Sequence, residues 1–337
     1  MAERTESFAD PTELASFFDL IGDSLSAARV RGSVLLAESY FPPWGVHIPG
    51  HAELAVLLGA PKGCRVVAFH MVEFGHCQID APDSARLALR AGDVVICFGG
   101  VEHSLSDGSG GSKRSIGELL GLERSGARER ETGPSPGASL LCGVFFLQNA
   151  ELGPLLSEMP SFTKVSLTGS GGARSLCGVA RLLSEEVARR SAGGPFIVSR
   201  LLEALAAEVI RTFVSQEATQ SVPLLRAIQD PALAKALSAF HVAPGFSWTV
   251  GRLASKANLS PSRFSARFAS TLGDSPMAYV SKWRMVLARR MLAEGDQTVA
   301  SVSETLGYES QAAFNRAFRK IVGVSPSRWK VGHSERK

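Results

Sequence analysis

The chain lacks any uninterrupted apolar run near the roughly 18–20 residues that span a bilayer, which argues against a membrane helix. Its polar, mixed-charge start, Met1-Ala2-Glu3-Arg4-Thr5-Glu6-Ser7, has no basic-then-apolar pattern, so no secretory leader is expected. Cysteine is scarce and odd in number: Cys64, Cys77, Cys97, Cys142 and Cys177, with no C-x-x-C pair. That argues against a disulfide framework and a zinc knuckle, and fits a reducing cytoplasm in which the thiols are small buried fillers. The seven histidines include no H-x-H pair. With 45% hydrophobic and 20% charged residues, the composition is also not that of a disordered chain. The 337 residues are enough for two or three domains.

Charge is present but unevenly spread. Residues 246–337 hold 15 Lys and Arg against 6 Asp and Glu, a surplus of nine, while the remainder holds 21 against 26, a deficit of five. A basic C-terminal quarter on an acidic body points to a polyanion-binding module attached to another domain.

Short apolar runs at 34–36, 66–69, 87–89, 94–98 and 140–146 are punctuated by turn residues such as Pro61-Lys62-Gly63 and Ala91-Gly92-Asp93. Strands in this number without helical periodicity predict a barrel or sandwich. The Gly-, Ser- and Arg-rich stretch from Asp107 to Pro136 reads as a mobile surface loop. The period then changes. Leu176, Val179, Leu182, Leu183 and Val187 form one stripe, and Leu201, Leu202, Leu205, Val209 and Phe213 a second, which predicts a helical hairpin over 173–214. Polar Gln216–Ser221 is the expected linker, and Asp230-Pro231 is expected to cap and open another helix. The fold class is therefore α+β multidomain: a barrel over 1–165, a hairpin and linker over 166–220, and an all-α domain over 221–337.

The last 90 or so residues carry an internal repeat. Phe264, Phe268, Gly273, Ser275, Pro276 and Tyr279 recur as Phe314, Phe318, Gly323, Ser325, Pro326 and Trp329, each 50 positions on, and Thr249-Val250 recurs as Thr298-Val299 at an offset of 49. In the first copy, helices over 250–257 and 261–272 flank a turn at Asn258-Leu259-Ser260. In the second, helices over 299–306 and 310–322 flank Gly307-Tyr308-Glu309. Each copy reads as a helix-turn-helix.

Phe264 and Phe268 lie four apart on one helical face, as do Phe314 and Phe318, so the opposite faces must be exposed. The first presents Ser262, Arg263, Ala266 and Ser270, with Arg267 on the flank. The second presents Ala312, Ala313, Arg316, Arg319 and Lys320, with Gln311 and Asn315 beside them. Small residues allow close approach, Arg bonds guanine bidentately, Asn and Gln bond adenine, and the positive charge meets phosphates. A connecting helix over 277–292, about 24 Å long, can hold two such helices about one DNA turn apart. Trp283 on it is expected in the core.

These residues resemble a known family. Leu-Ser-Pro-Ser-Arg-Phe (259–264), Gly-Asp-Ser-Pro-Met-Ala-Tyr (273–279), Trp-Arg-Met (283–285), Gly-Tyr-Glu-Ser-Gln-Ala-Ala-Phe-Asn-Arg-Ala-Phe (307–318) and Val-Gly-Val-Ser-Pro (322–326) are similar to the AraC/XylS bacterial transcription regulators. The resemblance spans about 221–332 and implies two helix-turn-helix units entering successive major-groove segments of double-stranded promoter DNA. The family often has a basic residue where this chain has Ala266; only the second unit keeps it, as Arg316. More loosely, Pro43-Trp44-Gly45-Val46, Ala68-Phe69-His70-Met71-Val72, Ala91-Gly92-Asp93-Val94-Val95 and His103-Ser104-Leu105 resemble the cupin-type sensor arm of such regulators. That implies a small-molecule effector in the barrel, a homodimer through the hairpin, and an activator that contacts RNA polymerase.

Trp44, His70, His76 and His103 are the candidate effector-pocket residues. Metal-dependent cupins pair two histidines one residue apart with a carboxylate and a later histidine; His70, Glu73 or His76, and His103 can converge, but the H-x-H pair is missing. The expectation is no cofactor, no metal and no enzymatic activity. The alternative is a metal-dependent cupin enzyme fused to a DNA-binding domain. A DNA-alkylation repair protein is set aside for want of a paired-cysteine cluster.

Overall fold

The computed structural model describes residues 30–61, 64–82, 84–122, 135–148, 156, 159–167, 173–215, 222–294 and 297–334. They fall into two compact units. The first contains nine strands, β1 (Arg31–Tyr40), β2 (Gly45–Ile48), β3 (Cys64–Asp80), β4 (Leu87–Arg90), β5 (Asp93–Ile96), β6 (His103–Ser106), β7 (Arg114–Ser115), β8 (Ala138–Gln148) and β9 (Thr163–Ser166). Four helices accompany them: α1 (His51–Leu57), α2 (Ile116–Leu119), α3 (Ala173–Arg189) and α4 (Gly194–Ser215). The second unit is all helical: α5 (Pro223–Gln229), α6 (Pro231–Val242), α7 (Val250–Lys256), α8 (Pro261–Leu272), α9 (Pro276–Glu294), α10 (Val299–Thr305), α11 (Gln311–Val322) and α12 (Pro326–Ser334). This is the α+β multidomain organisation that the sequence predicts. No helix among the described residues is long and apolar enough to cross a membrane.

The nine strands make one sheet in the order β1-β8-β3-β6-β2-β7, with β4 and β5 also on β3 and β9 on β5. The 17-residue β3 is its spine, paired antiparallel with β8 from Cys64↔Gln148 to Gly75↔Ala138. Residues 66–72 are buried without interruption, because both faces are covered. Val66, Ala68 and Val72 join Val95, Leu105, Leu140 and Val144 in one core. On β1, α4 comes so close that a Cβ at Gly32 would sit 2.4 Å from Leu202 Cβ.

A register shift between Val72 and Phe74 changes which residues of β3 face that core. Before it, even positions point inward; after it, Cys77 and Ile79 do. A bulge re-aims side chains in this way because the strand period is two.

Three expectations need correction. Part of the expected 107–136 surface loop is docked: β7 pairs parallel with β2, and α2 buries Ile116 and Leu119. Ser115 and Glu118 close a reciprocal capping box there, which satisfies the first backbone N–H groups of this single helical turn. Leu182, placed on the buried stripe of α3, is 47% exposed, whereas Leu176 and Leu183 are fully buried on this helix, which packs against α4. The short α1 lay outside the predicted elements. The predicted linker, 216–221, lies outside the described residues.

In the helical unit the repeat extends to its capping chemistry. Thr249 and Thr298 hydroxyls accept from the backbone N–H of Arg252 and Ser301, and Ser260 and Ser310 accept from Arg263 and Ala313. Gly273 and Gly323 end α8 and α11 with φ of 73° and 84°. Asp230 caps α6 with Pro231 at its first position, as the sequence predicts. Tyr279 and Trp329, the last repeated pair, are packed edge-on against Phe268 and Phe318.

Gly307 is the most constrained turn position. Its φ is +71°, and a Cβ there would lie 1.9 Å from the Gly245 carbonyl oxygen. Gly323 has the same left-handed backbone with nothing within 4 Å of its would-be Cβ. Gly323→Ala is therefore expected to cost about 1 kcal/mol, the left-handed penalty alone. Gly307→Ala adds a backbone collision and is expected to cost at least about 2–4 kcal/mol. Denaturant melts of the two variants check this; equal losses would contradict it.

Candidate nucleic-acid interface

The second helix of each repeat is anchored by its phenylalanines. Phe264, Phe268, Phe314 and Phe318 are essentially inaccessible to solvent, each pair with ring centroids 5.5–5.6 Å apart. Anchoring fixes the rotation of each helix about its axis and thereby decides what faces outward. On α8, Ser262, Arg263, Ala266 and Arg267 are exposed; on α11, Gln311, Ala312, Asn315, Arg316, Arg319 and Lys320 are exposed. Both faces combine short side chains with guanidinium and amide groups, the chemistry that reads base edges and phosphates. They differ in one respect. Arg267 is ion-paired with Asp230, the cap of α6. Among the described residues Arg316 forms no such ion pair.

The two repeats are joined by a residue that sequence reasoning quoted without giving it a role. Arg284 lies on α9, a 19-residue helix about 28 Å long, and is 9% exposed. Its Nε donates to the Pro244 carbonyl at 2.8 Å and an Nη to the Phe246 carbonyl at 2.7 Å. Its guanidinium carbon also lies 5.6 Å from the centre of the Tyr308 ring. Pro244 and Phe246 precede the first helix-turn-helix, and Tyr308 is in the turn of the second. Between them Gly245 and Gly307 touch backbone to backbone, with a Cβ at Gly245 falling 2.1 Å from the Thr305 carbonyl oxygen. The available signal was a charged residue in an otherwise apolar frame, between Trp283 at 1% and Met285 at 0% exposure. Trp283 is core, as expected. Beside it His241 donates to or accepts from the Tyr279 hydroxyl at 2.9 Å, and burial lowers its pKa to about 3, so the imidazole is neutral.

The N-terminal unit holds a second cluster. His70 from β3 and His103 from β6 meet with their Nε2 atoms 2.9 Å apart. Cys97, just beyond β5, places Sγ 3.6 Å from His103 Nε2, and Cys142 from β8 places Sγ 3.1 Å from His70 Nδ1. All four are buried. Burial, reinforced by the neighbouring imidazole, holds the His70 pKa well below the usual histidine range. Burial lowers that of His103 too, against a hydrogen bond to the Val101 carbonyl. Burial pushes the Cys97 and Cys142 thiols up.

His70 and His103 thus converge as predicted from sequence, whereas His76 and Glu73 are exposed beyond the bulge. Trp44 is buried and stacked on Tyr40 with ring centroids 4.6 Å apart, and its indole Nε1 has no partner among the described residues. His103 also borders a pocket of about 260 Å³ shared with Asp80, Glu102 and Lys113.

Comparison with known proteins places these features. Residues 19–215 match the Cupin family, and residues 253–331 match the Helix-turn-helix domain family. A putative AraC-like transcription regulator of Streptomyces lividans is 28% identical over 273 residues, covering 81% of this chain and 88% of that protein. An uncharacterized HTH-type transcriptional regulator of Haemophilus influenzae is 26% identical over 308 residues, covering 90% of this chain and 95% of its own length. Among solved structures, the DNA-binding domain of AdpA, a global transcriptional factor, in complex with a target DNA is 28% identical; the match covers 32% of this chain and 96% of that one, with a TM-score of 0.30.

Replacing Arg284 by Met leaves two buried carbonyls without their charged donor. The helical unit is expected to lose about 2–3 kcal/mol, measured by denaturant unfolding. Arg284→Lys is expected to restore little of it, because one ammonium cannot reproduce a forked donor packed on a ring. An Arg284→Met protein with unchanged stability would contradict this role.

Proposed function

The chain belongs to the AraC-family DNA-binding transcription regulators that carry a cupin domain, and from that premise we propose how its residues divide the work. Double-stranded promoter DNA is read by Ser262, Arg263, Ala266 and Arg267 on α8 and by Gln311, Ala312, Asn315, Arg316, Arg319 and Lys320 on α11. The observation that carries this reading is the exposure of all ten side chains on helices whose opposite faces are locked into cores by paired phenylalanines.

Within that set α11 supplies most of the base discrimination. Arg316 sits one helical turn from Ala312 and Ala313, so the backbone can come close enough for a guanidinium to span the guanine O6 and N7. Asn315 and Gln311 suit adenine, and Arg319 and Lys320, in the last turn, suit phosphate. On α8 the corresponding centre is Ala266, and Arg267 is shared with Asp230, so this helix contributes positioning more than readout.

The cupin domain supplies control rather than catalysis. A small effector at the face that carries Trp44, His70 and His103, with His76 turned away from it, acts by binding one arrangement of the protein more tightly than another. Exposed Leu182, Phe196 and Ile197 on α3 and α4 support a homodimer formed through that hairpin. The regulator acts as an activator that contacts RNA polymerase when bound.

Arg316→Ala is expected to weaken binding to the specific promoter site by about 1–3 kcal/mol and to relax base preference at one position. Arg319→Ala is expected to weaken all sequences alike and to lower the salt dependence by about one counterion. Site selection from random DNA followed by salt-dependent binding assays distinguishes the two. Unchanged base preference in Arg316→Ala would remove its assignment.

A further inference from the structure

We propose that His70, Cys97 and His103 form a binding site for a thiophilic divalent cation of the zinc class, with Cys142 orienting the His70 ring from behind. The inference is independent of the DNA-reading assignment, because its test measures metal binding directly.

The three ligand atoms come from the middle of β3, just beyond the end of β5 and the start of β6, yet lie within 4.8 Å of one another, and all three residues are buried. A tetrahedral ion bonded to nitrogen at about 2.0–2.1 Å and to sulfur at about 2.3 Å sets N···N edges near ~3.3 Å and N···S edges near ~3.6 Å. The Cys97 to His103 separation, 3.6 Å, already has that edge length. The imidazole nitrogens, at 2.9 Å, need to part by only a few tenths of an ångström.

The far side of each ring is equally prepared. His103 Nδ1 lies 2.9 Å from the Val101 carbonyl, which can only accept, so the proton sits on Nδ1 and the Nε2 lone pair points into the cluster. His70 has Cys142 Sγ at 3.1 Å from Nδ1, a partner that either accepts or donates. With the proton on Nε2, His70 donates to His103 and Cys142 donates to His70, giving a closed chain without metal. With the proton moved to Nδ1, His70 donates to Cys142 sulfur, and two lone pairs then face each other across the space a cation would fill. A backing partner on each ligating imidazole is the usual second layer of a metal site.

Binding balances simply. The His70 proton shifts from Nε2 to Nδ1 as the Cys142 S–H turns away, the Cys97 S–H bond breaks and its proton goes to solvent, and two M–N bonds and one M–S bond replace three bonds from the cation to its hydration water. A fourth position is left for water or another small donor. His103 borders the pocket that Asp80, Glu102 and Lys113 also line, and this is the side from which an ion would enter.

The test uses the full chain, stripped by chelator and then titrated with Co²⁺ alone. One Co²⁺ per chain is expected, with the sulfur-to-cobalt charge-transfer band and intense visible bands of a four-coordinate site. Cys97→Ser should abolish the charge-transfer band, and His103→Gln should weaken binding at least tenfold. Cys142→Ser should retain the band and bind about 10–100-fold more weakly. Cys177→Ser should behave as the unmodified protein. X-ray absorption of the Co²⁺-loaded unmodified chain keeps the test decisive if a variant fails to fold, and should show one sulfur with two imidazole nitrogens. No stoichiometric Co²⁺ uptake, a band that survives in Cys97→Ser, or a shell without sulfur would each overturn the proposal.

Discussion

The hydrogen bonds from Arg284 to the carbonyls of Pro244 and Phe246 are the contact on which the DNA-reading half of this protein depends. A guanidinium is costly to bury, and here it is retained because two carbonyls and the face of Tyr308 replace its water. Its geometry ties together three pieces of chain: the approach to the first helix-turn-helix, the long connecting helix, and the turn of the second. Gly245 and Gly307 permit the contact, since neither position has room for a side chain. The consequence is that α8 and α11 are held by one clasp as well as by the covalent path along α9. If α8 and α11 are the readers proposed above, helices fixed in this way engage DNA as one body and share the entropic cost of binding.

The N-terminal unit follows a different logic. Its spine, β3, is buried on both faces over its first half, and the cores on either side combine aliphatic residues with aromatics such as Trp44, Phe69 and Phe145. Into one of these cores the fold places two imidazoles and two thiols, all paired with one another or with a backbone carbonyl. Polar groups in such a place are tolerated only when satisfied, so the cluster has few arrangements open to it.

The helical unit was legible in the sequence almost throughout, because its determinants are local. Caps at Thr249, Ser260, Thr298 and Ser310, stops at Gly273 and Gly323, and phenylalanines four apart each act within a few residues, and their repetition at a fixed offset compounds the signal. The exposed faces follow from the same spacing. The sheet was legible where runs are apolar, as in β3, β5 and β8, and illegible where strands are short and polar: His103-Ser104 in β6 and His47 in β2 carry no alternation that stands out. Polar Arg114-Ser115 and the single-turn α2 hid in a stretch whose composition reads as loop. The buried cluster was only half visible. His70 and His103 were paired correctly, but Cys97 and Cys142 passed as fillers, since only strand register brings them beside the imidazoles. His76 was grouped with them, but the register shift between Val72 and Phe74 turns it out of the cluster. Arg284 escaped notice for the same reason as the thiols: its partners are about 40 residues away.

On the reading proposed above, α8 and α11 act as one rigid reader. A series of promoter sites in which one to five base pairs are inserted between the segments contacted by α8 and α11 tests it most directly. The account predicts that a single inserted pair reduces affinity about as much as scrambling one whole segment. Equal affinity across the series would show that the two helices move independently, and would contradict it.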